Sequence, residues 1–369
     1  MKSAVLLVLV ALTSGAAAQT TGEGTPIVPI ATEADYARVV KQAVDGYIVP
    51  AFATLQFATG ELVPALAGFC ASPSDAQRDG VRTAFAATVL AWSGVDFLRF
   101  GPMLEKSRID RFSYFPDVHG TGARQLRRFL ASKDAALLEP GALAGQSAAV
   151  QGLPALESLL YSGDDALLHA AAPEPFRCDL AARVADNMNV IAGDVLAGWT
   201  GDGSWASLIE HPGPDNPVYL THAEAMTEIV KAILTGLESA RDHRLLAALG
   251  ATPAESKASR APFNLSGEAI PAMQATGGAL ERFTETSGIL TLLPPAQASY
   301  GNSIGFEFGN LDRAFAKAGP ELATALAEPP RRSALAYAAI VLQSLRDLFQ
   351  KQVAVWAGLT PGFNAMDGD

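Results

Sequence analysis

The sequence of 369 residues has no excess of basic residues, and this shortage excludes one broad class of function. Its 27 lysines and arginines are outnumbered by 38 aspartates and glutamates, which gives a formal net charge of -11. Because no basic stripe is available to neutralise phosphates, we exclude a nucleic-acid-binding protein. The acidic balance does not by itself identify a metal protein.

Several catalytic motifs are also missing. The sequence has no GxSxG nucleophile elbow, no HExxH zinc pair and no phosphate-binding glycine loop. No histidine stands on a predicted helix with a second ligand three or four positions away. We therefore expect most histidines at the surface, including His243, because its neighbour Asp242 does not share its helix face. His119 stays a candidate because it follows Pro116 and Asp117 in a charged loop.

Residues 1–18 have the composition of a secretory signal peptide. Lys2 supplies the positive start, residues 4–12 form the apolar centre, and residues 16–18 are three alanines at the cleavage site. Since Gln19 rather than a cysteine follows, we expect a periplasmic protein that is not a lipoprotein. No later segment is typical of a transmembrane helix.

Only two cysteines are present, Cys70 and Cys178. In an oxidising compartment an even number of cysteines favours a disulfide, and we predict one between these two. Such a bond would contribute roughly 4–5 kcal/mol by closing a loop of about a hundred residues. The alternative is two unrelated buried thiols.

The rest of the sequence predicts an all-α fold. Alanine and leucine are abundant, and no segment alternates with the period of a strand. Helical patterns cover 33–67, 76–97, 122–131, 175–199, 221–248, 268–293, 306–326 and 333–356. A boundary is favoured near the glycine- and proline-rich segment 211–217. We predict two helical-bundle domains, at residues 19–205 and 206–369.

One stretch, residues 149–161, predicts a helix that begins near Leu153 and carries a carboxylate. Leu156, Leu159 and Leu160 fall on one buried stripe of that helix. Glu157 lies close to the stripe, near the positive end of the helix. From the residues alone, a solvated glutamate is favoured over a functional one.

A second stretch, residues 98–117, mixes charged and aromatic residues in an irregular segment. Such loops often form binding sites. A structural use is equally compatible with the sequence: Arg99 and Arg111 would cap helix ends, and Asp117 would be an N-cap.

Taken together, four separated segments resemble the imelysin family of exported bacterial proteins, which are linked to iron uptake and also classed as metallopeptidases. The segments are Arg99-Phe100-Gly101-Pro102, Phe115-Pro116-Asp117, Gly152-Leu153-Pro154-Ala155-Leu156-Glu157 and Gly362-Phe363-Asn364-Ala365-Met366-Asp367-Gly368-Asp369. The resemblance implies a pair of helical bundles with a functional site near their contact.

The resemblance also implies a site around Glu157. The family's hallmark is a GxHxxE pattern, in which the histidine and the glutamate share a metal ion. Here Pro154 occupies the histidine position, and proline has no donor atom for a metal. Glu157 is carried over as a site carboxylate, and Arg99, Asp117 and Arg124 as nearby ligand-binding positions. The terminal Asn364, Asp367 and Asp369 offer oxygen atoms that suit either a hard cation or a turn.

These observations lead to three functional hypotheses. The first is a non-enzymatic periplasmic protein that binds iron, another divalent metal or a haem-like ligand and works with an iron transporter component. The second is a metal-dependent peptidase with a degenerate site, in which His119 comes within reach of Glu157. The third is an adaptor protein of the cell envelope.

Overall fold

A computed structural model describes residues 31–359 of the protein. All regular secondary structure in that range is helical. Within that range there are fifteen α-helical segments and no strand. They are α1 (Glu33–Ala43), α2 (Val49–Ala71), α3 (Asp75–Ser93), α4 (Arg108–Phe112), α5 (Thr121–Ser132), α6 (Leu153–Tyr161), α7 (Pro175–Trp199), α8 (Trp205–Glu210), α9 (His222–Glu238), α10 (Ala247–Leu249), α11 (Ala269–Ser287), α12 (Ala298–Ala318), α13 (Leu322–Ala327), α14 (Pro329–Leu348) and α15 (Ala354–Trp356). The all-α prediction is confirmed. The signal peptide predicted at 1–18 and the motif at 362–369 lie outside the described residues.

The first two helices form one continuous rod, as the pattern over 33–67 predicts. Thr32 caps α1 in a capping box, in which its side chain accepts a hydrogen bond from the Asp35 amide and the Asp35 carboxylate accepts one in return. A π-helical segment, Val44–Ile48, joins α1 to α2. Pro50 follows in the first turn of α2, where a missing N–H is tolerated.

The helices pack in two groups around one continuous apolar core. In the first group, α2 lies between α3 and α7, and α6 packs on α7. In the second group, α9, α11, α12 and α14 pack on one another. Helix α1 packs against α9 and α11 of the second group, although it is the first helix that the structure describes. The division at residues 205 and 206 stays a prediction.

The predicted disulfide between Cys70 and Cys178 is present, with an S–S distance of 2.08 Å. It joins the last turn of α2 to the first turn of α7, two helices that are also packed side by side. None of the helices between residues 31 and 359 is long and apolar enough to cross a membrane.

Several long helical patterns differ from the structure. The pattern over 268–293 extends too far, because α11 ends at Ser287 before Gly288, whose φ is 68°. The pattern over 333–356 begins too late, because α14 already begins at Pro329. The pattern over 306–326 is wrong, because α12 already begins at Ala298 and ends at Ala318, before α13. Gly319, with φ at 75°, and the following proline stop α12, since neither continues a helix. The pattern over 221–248 predicts one continuous α-helix. In the structure α9 ends at Glu238, and a second π-helical segment, Ser239–Leu246, follows it.

Candidate ligand-binding site

Helix α6 begins at Leu153, where the sequence predicts it. Leu156, Leu159 and Leu160 are fully buried, which confirms the apolar stripe. The preceding Gly152 is required because the backbone of another segment packs directly against it, and not because of an unusual backbone angle. A Cβ at Gly152 would lie 2.0 Å from the carbonyl oxygen of Phe112, so only glycine permits this approach.

The Glu157 side chain points into the protein, and its residue is only 7% exposed. One carboxylate oxygen accepts hydrogen bonds from the Ser266 amide at 2.9 Å and from the Ser266 hydroxyl at 2.8 Å. Burial raises the pKa of Glu157, while hydrogen bonds from Ser266 and from the backbone of Leu265 and Phe263 oppose that rise. The interpretation of Glu157 as a solvated glutamate is therefore wrong.

Glu157 thus ties the first half of the chain to the loop between Ala261 and Gly267. That loop holds Phe263 at a φ of 59°, an uncommon conformation for a bulky residue, with the side chain buried. Pro262 and Phe263 form one wall of a cleft of about 470 Å³. Glu157 stands behind this wall and fixes it, rather than lining the cleft itself.

The cleft is lined by four separate segments, three of which supply polar and charged side chains. Its volume falls within the range typical of ligand pockets. Asp96 and Arg99 follow α3, Asp110 and residues 113–116 form the rim, and the π-helical segment Ser239–Leu246 closes the far side. The peptide bond between Phe115 and Pro116 is cis. The charged and hydrogen-bonding groups are Asp96, Arg99, Asp110, Ser113, Tyr114, Ser239, His243 and Arg244.

Two arginines in the cleft have different environments. Arg244 and Asp96 form an ion pair in which both residues are buried, and Arg244 also donates to the Thr276 hydroxyl at 3.2 Å. Arg99 makes no hydrogen bond or ion pair through its guanidinium with any described residue, and its buried Nε has no partner. Burial lowers the pKa of Arg99, an effect that Asp96 and Asp110 oppose. An unpaired guanidinium in a cleft is a binding group for a carboxylate or phosphate.

The π-helical segment Ser239–Leu246 explains why Ser239, His243 and Arg244 line the cleft together. In a π-helix the hydrogen bonds run from i to i+5, so residues four and five apart face the same side. The prediction that His243 lies at the surface is wrong, because the residue is half-buried in the cleft wall. The signal available in the sequence is the unbroken polar run from residue 241 to 244 inside an apolar helix.

The other predicted ligand residues lie in a local structure at the start of α5. The two carboxylate oxygens of Asp117 accept hydrogen bonds from the Thr121 and Gly122 amides at 2.7 and 2.8 Å, so Asp117 satisfies the first amides of α5, although the N-cap residue itself is Gly120 and not Asp117 as predicted. Arg124 donates to the His119 carbonyl, and both of these residues are exposed. A ligand-binding role for Asp117, Arg124 and His119 stays a prediction.

Arg111 does not cap a helix end. Its guanidinium donates to the side chain of Gln151 at 2.8 Å and to that of Asn187 at 3.4 Å. The Asn187 amide in turn donates to the Gln151 backbone carbonyl at 3.0 Å. These contacts attach the turn before α6 to the middle of α7 and hold the start of the motif in place.

Metal ligands are not clustered in the part of the chain that the structure describes. Between residues 31 and 359, no three histidine, cysteine, aspartate or glutamate side chains are close enough to hold a metal ion together. The carboxylates at positions 367 and 369 lie outside that range. The metal-binding roles predicted for Glu157 and His119 stay predictions.

The fold and the cleft define a helical-bundle protein with a polar pocket where its two groups of helices meet. The family model for imelysin, peptidase M75, matches residues 48–352. The chain belongs to the imelysin family. No curated protein matches it.

Two solved structures have the same fold. A crystal structure of an imelysin-like protein from Psychrobacter arcticum 273-4 has a TM-score of 0.76 and 16% identity, covering 91% of this chain and 100% of the other. A protein from Parabacteroides distasonis ATCC 8503, described as an iron-regulated protein A precursor, has a TM-score of 0.67 and 15% identity. That match covers 86% of this chain and 96% of the other.

Proposed function

We propose that this protein is a non-enzymatic, periplasmic binding protein of iron uptake, and that it binds an anionic iron-containing ligand in the cleft beside Arg99. The observation that carries the proposal is the unpaired guanidinium of Arg99. His243 stands in the same cleft and supplies an imidazole nitrogen, whereas Arg244 is already paired with Asp96. Carboxylates of a ferric chelate or of haem suit such groups.

Two further observations support the proposed periplasmic location and the proposed link to iron uptake. The signal-like residues 1–18 and the disulfide favour an oxidising compartment outside the cytoplasm. The Parabacteroides distasonis protein of similar fold is described as iron-regulated. A membrane transporter component is then the partner that would receive the ligand.

Equilibrium dialysis with ferric citrate and, separately, with haem tests the proposal. We expect stoichiometric binding of one of them, weakened about tenfold or more in Arg99→Gln because a charge-assisted hydrogen bond is lost. Arg313→Gln is the control, since Arg313 is exposed on α12 and donates a hydrogen bond to the side chain of Asn310.

Two outcomes would contradict the cleft as the binding site. The first is binding that Arg99→Gln leaves unchanged. The second is binding that Arg124→Gln abolishes while Arg99→Gln does not, which would place the ligand beside α5, as the sequence-based expectation has it. Dialysis with ferrous, ferric and zinc ions alone, on wild type and Glu157→Ala, separates free-metal binding from binding of a chelate.

The peptidase alternative makes a different prediction. It requires a metal site completed by residues outside 31–359 or by fewer than three protein ligands, given the scattered ligands in the described range. Hydrolysis of a fluorogenic peptide library that zinc or iron stimulates would support it and would count against the non-enzymatic proposal.

A further inference from the structure

Arg99 also lines a second, smaller cavity of about 110 Å³. This cavity lies between the segment after α3, which supplies Phe97 and Phe100, and one face of α9. The face of α9 consists of residues at helical spacing, among them Glu228, Lys231 and Thr235. None of these α9 residues lines the larger cleft.

Two buried hydrogen-bond donors in this cavity have no partner. The Thr235 hydroxyl is one, on a residue that is 1% exposed, and Arg99 Nε is the other. Helical threonines usually bond to the carbonyl four residues earlier, as Thr227 does with Ala223 at 2.8 Å. Buried donors without partners are rare in proteins, so a pair of them in one cavity points to a bound acceptor.

The charges around the cavity favour an anion over a neutral molecule. Lys231 and Glu228 form an ion pair at 3.4 Å and are partly exposed, at the mouth. The lining therefore carries two cations, Arg99 and Lys231, and one carboxylate, Glu228, so its net charge is positive. Phe97 and Phe100 are buried and make the inner walls apolar, which strengthens electrostatic attraction.

The size of the cavity limits the occupant to a small ion. A water molecule takes about 30 Å³ of liquid volume, so the cavity has room for a few atoms heavier than hydrogen and not for an organic chelate. Donors on several sides suit an acceptor that has several oxygens.

We propose that this cavity is a binding site for a small inorganic oxyanion, of the size of bicarbonate or phosphate, held by Arg99, Thr235 and Lys231. The site goes beyond the proposed function, because it accepts the anion alone. Thr235 and Lys231 allow it to be tested without altering the larger cleft.

Titration calorimetry of the full-length mature protein with sodium phosphate and with sodium bicarbonate, at low ionic strength, tests the proposal. We expect one site for at least one of these anions. Thr235→Val and Lys231→Met should each weaken it about tenfold, since each removes a hydrogen bond to a charged acceptor. Thr227→Val is the matched control on the same helix, and Lys351→Met is the control for the lost exposed charge.

Two results would overturn the proposal. One is the absence of binding by both anions. The other is equal affinity in wild type, Thr235→Val and Lys231→Met, which would mean that water fills the cavity. Lys231 is partly exposed, so its variant keeps the test valid if Thr235→Val does not fold. Dialysis of ferric citrate and haem on the same variants should be unchanged, which separates this site from the proposed function.

Discussion

Replacing Glu157 by alanine should destabilise the protein, because the carboxylate connects α6 to the loop between Ala261 and Gly267. Its two hydrogen bonds from Ser266 are 2.9 and 2.8 Å long and lie in a site that is 7% exposed. Hydrogen bonds to a charged group contribute about 1.5–3 kcal/mol each. Two of them give roughly 3–6 kcal/mol.

Part of that loss is offset, because the variant no longer buries a charge. The raised pKa of Glu157 shows that burial penalises the charged form, at about 1.4 kcal/mol for each pKa unit. We therefore expect the free energy of unfolding to fall by about 2–4 kcal/mol at neutral pH. Urea unfolding followed by circular dichroism measures this difference.

The pH dependence gives a second measure of the same effect. A carboxyl whose folded pKa is raised binds its proton more tightly in the folded state, so its contribution to stability falls as pH rises. The fall occurs between the unfolded value of about 4.3 and the raised folded value. The free energy of unfolding of the wild type should therefore fall with rising pH in this window. This contribution to the pH dependence should be absent from Glu157→Gln.

The control for these measurements is Glu268→Gln. Glu268 is half-buried next to the same loop, and burial also raises the pKa of its carboxyl, but its carboxylate accepts no hydrogen bond from the described residues. The role of Glu157 in holding the loop would be refuted if Glu157→Ala lowered the free energy of unfolding by less than about 0.5 kcal/mol. It would also be refuted if Glu157→Ala and Glu268→Gln lowered it equally.

Three further predictions concern other connections in the fold. Cys70→Ser combined with Cys178→Ser should lower the free energy of unfolding by about 4–5 kcal/mol, and a thiol titration of the denatured, unreduced wild type that finds two free thiols would contradict the bond. Gly152→Ala should cost about 3 kcal/mol or more in urea unfolding because its Cβ meets backbone, whereas Gly145→Ala, with open space around it, should be close to neutral. Asp117→Ala should lower the free energy of unfolding by about 1–2 kcal/mol and reduce the helix content seen by circular dichroism, because the Thr121 and Gly122 amides lose their acceptor. An unchanged stability would mean that these amides are solvated instead.

Much of the fold follows from local signals in the sequence. The start of α3 is given by Ser74, whose hydroxyl accepts a hydrogen bond from the Gln77 amide. The start of α6 and the pairing of Cys70 with Cys178 also follow from residue type and compartment. Gly319 and the proline after it also signal the end of α12, although the predicted pattern over 306–326 runs across them.

The site was less predictable, because it depends on contacts between distant segments. Glu157 is identified by its motif, but its hydrogen bonds come from a loop 109 positions away along the chain. His243 and Arg244 reach the cleft only because a π-helical segment changes which residues share a face. No periodic pattern of apolar residues distinguishes such a segment from an ordinary α-helix.

The position of α1 has a practical consequence for work on fragments of this protein. A fragment that begins at residue 206 contains α9 and α11 but lacks the helix that covers both of them. Val39, Val40 and Ala43 of α1 are completely buried, so their partners would be left facing water. Such a fragment should aggregate when expressed alone, and adding a peptide of residues 31–71 in trans should restore its solubility.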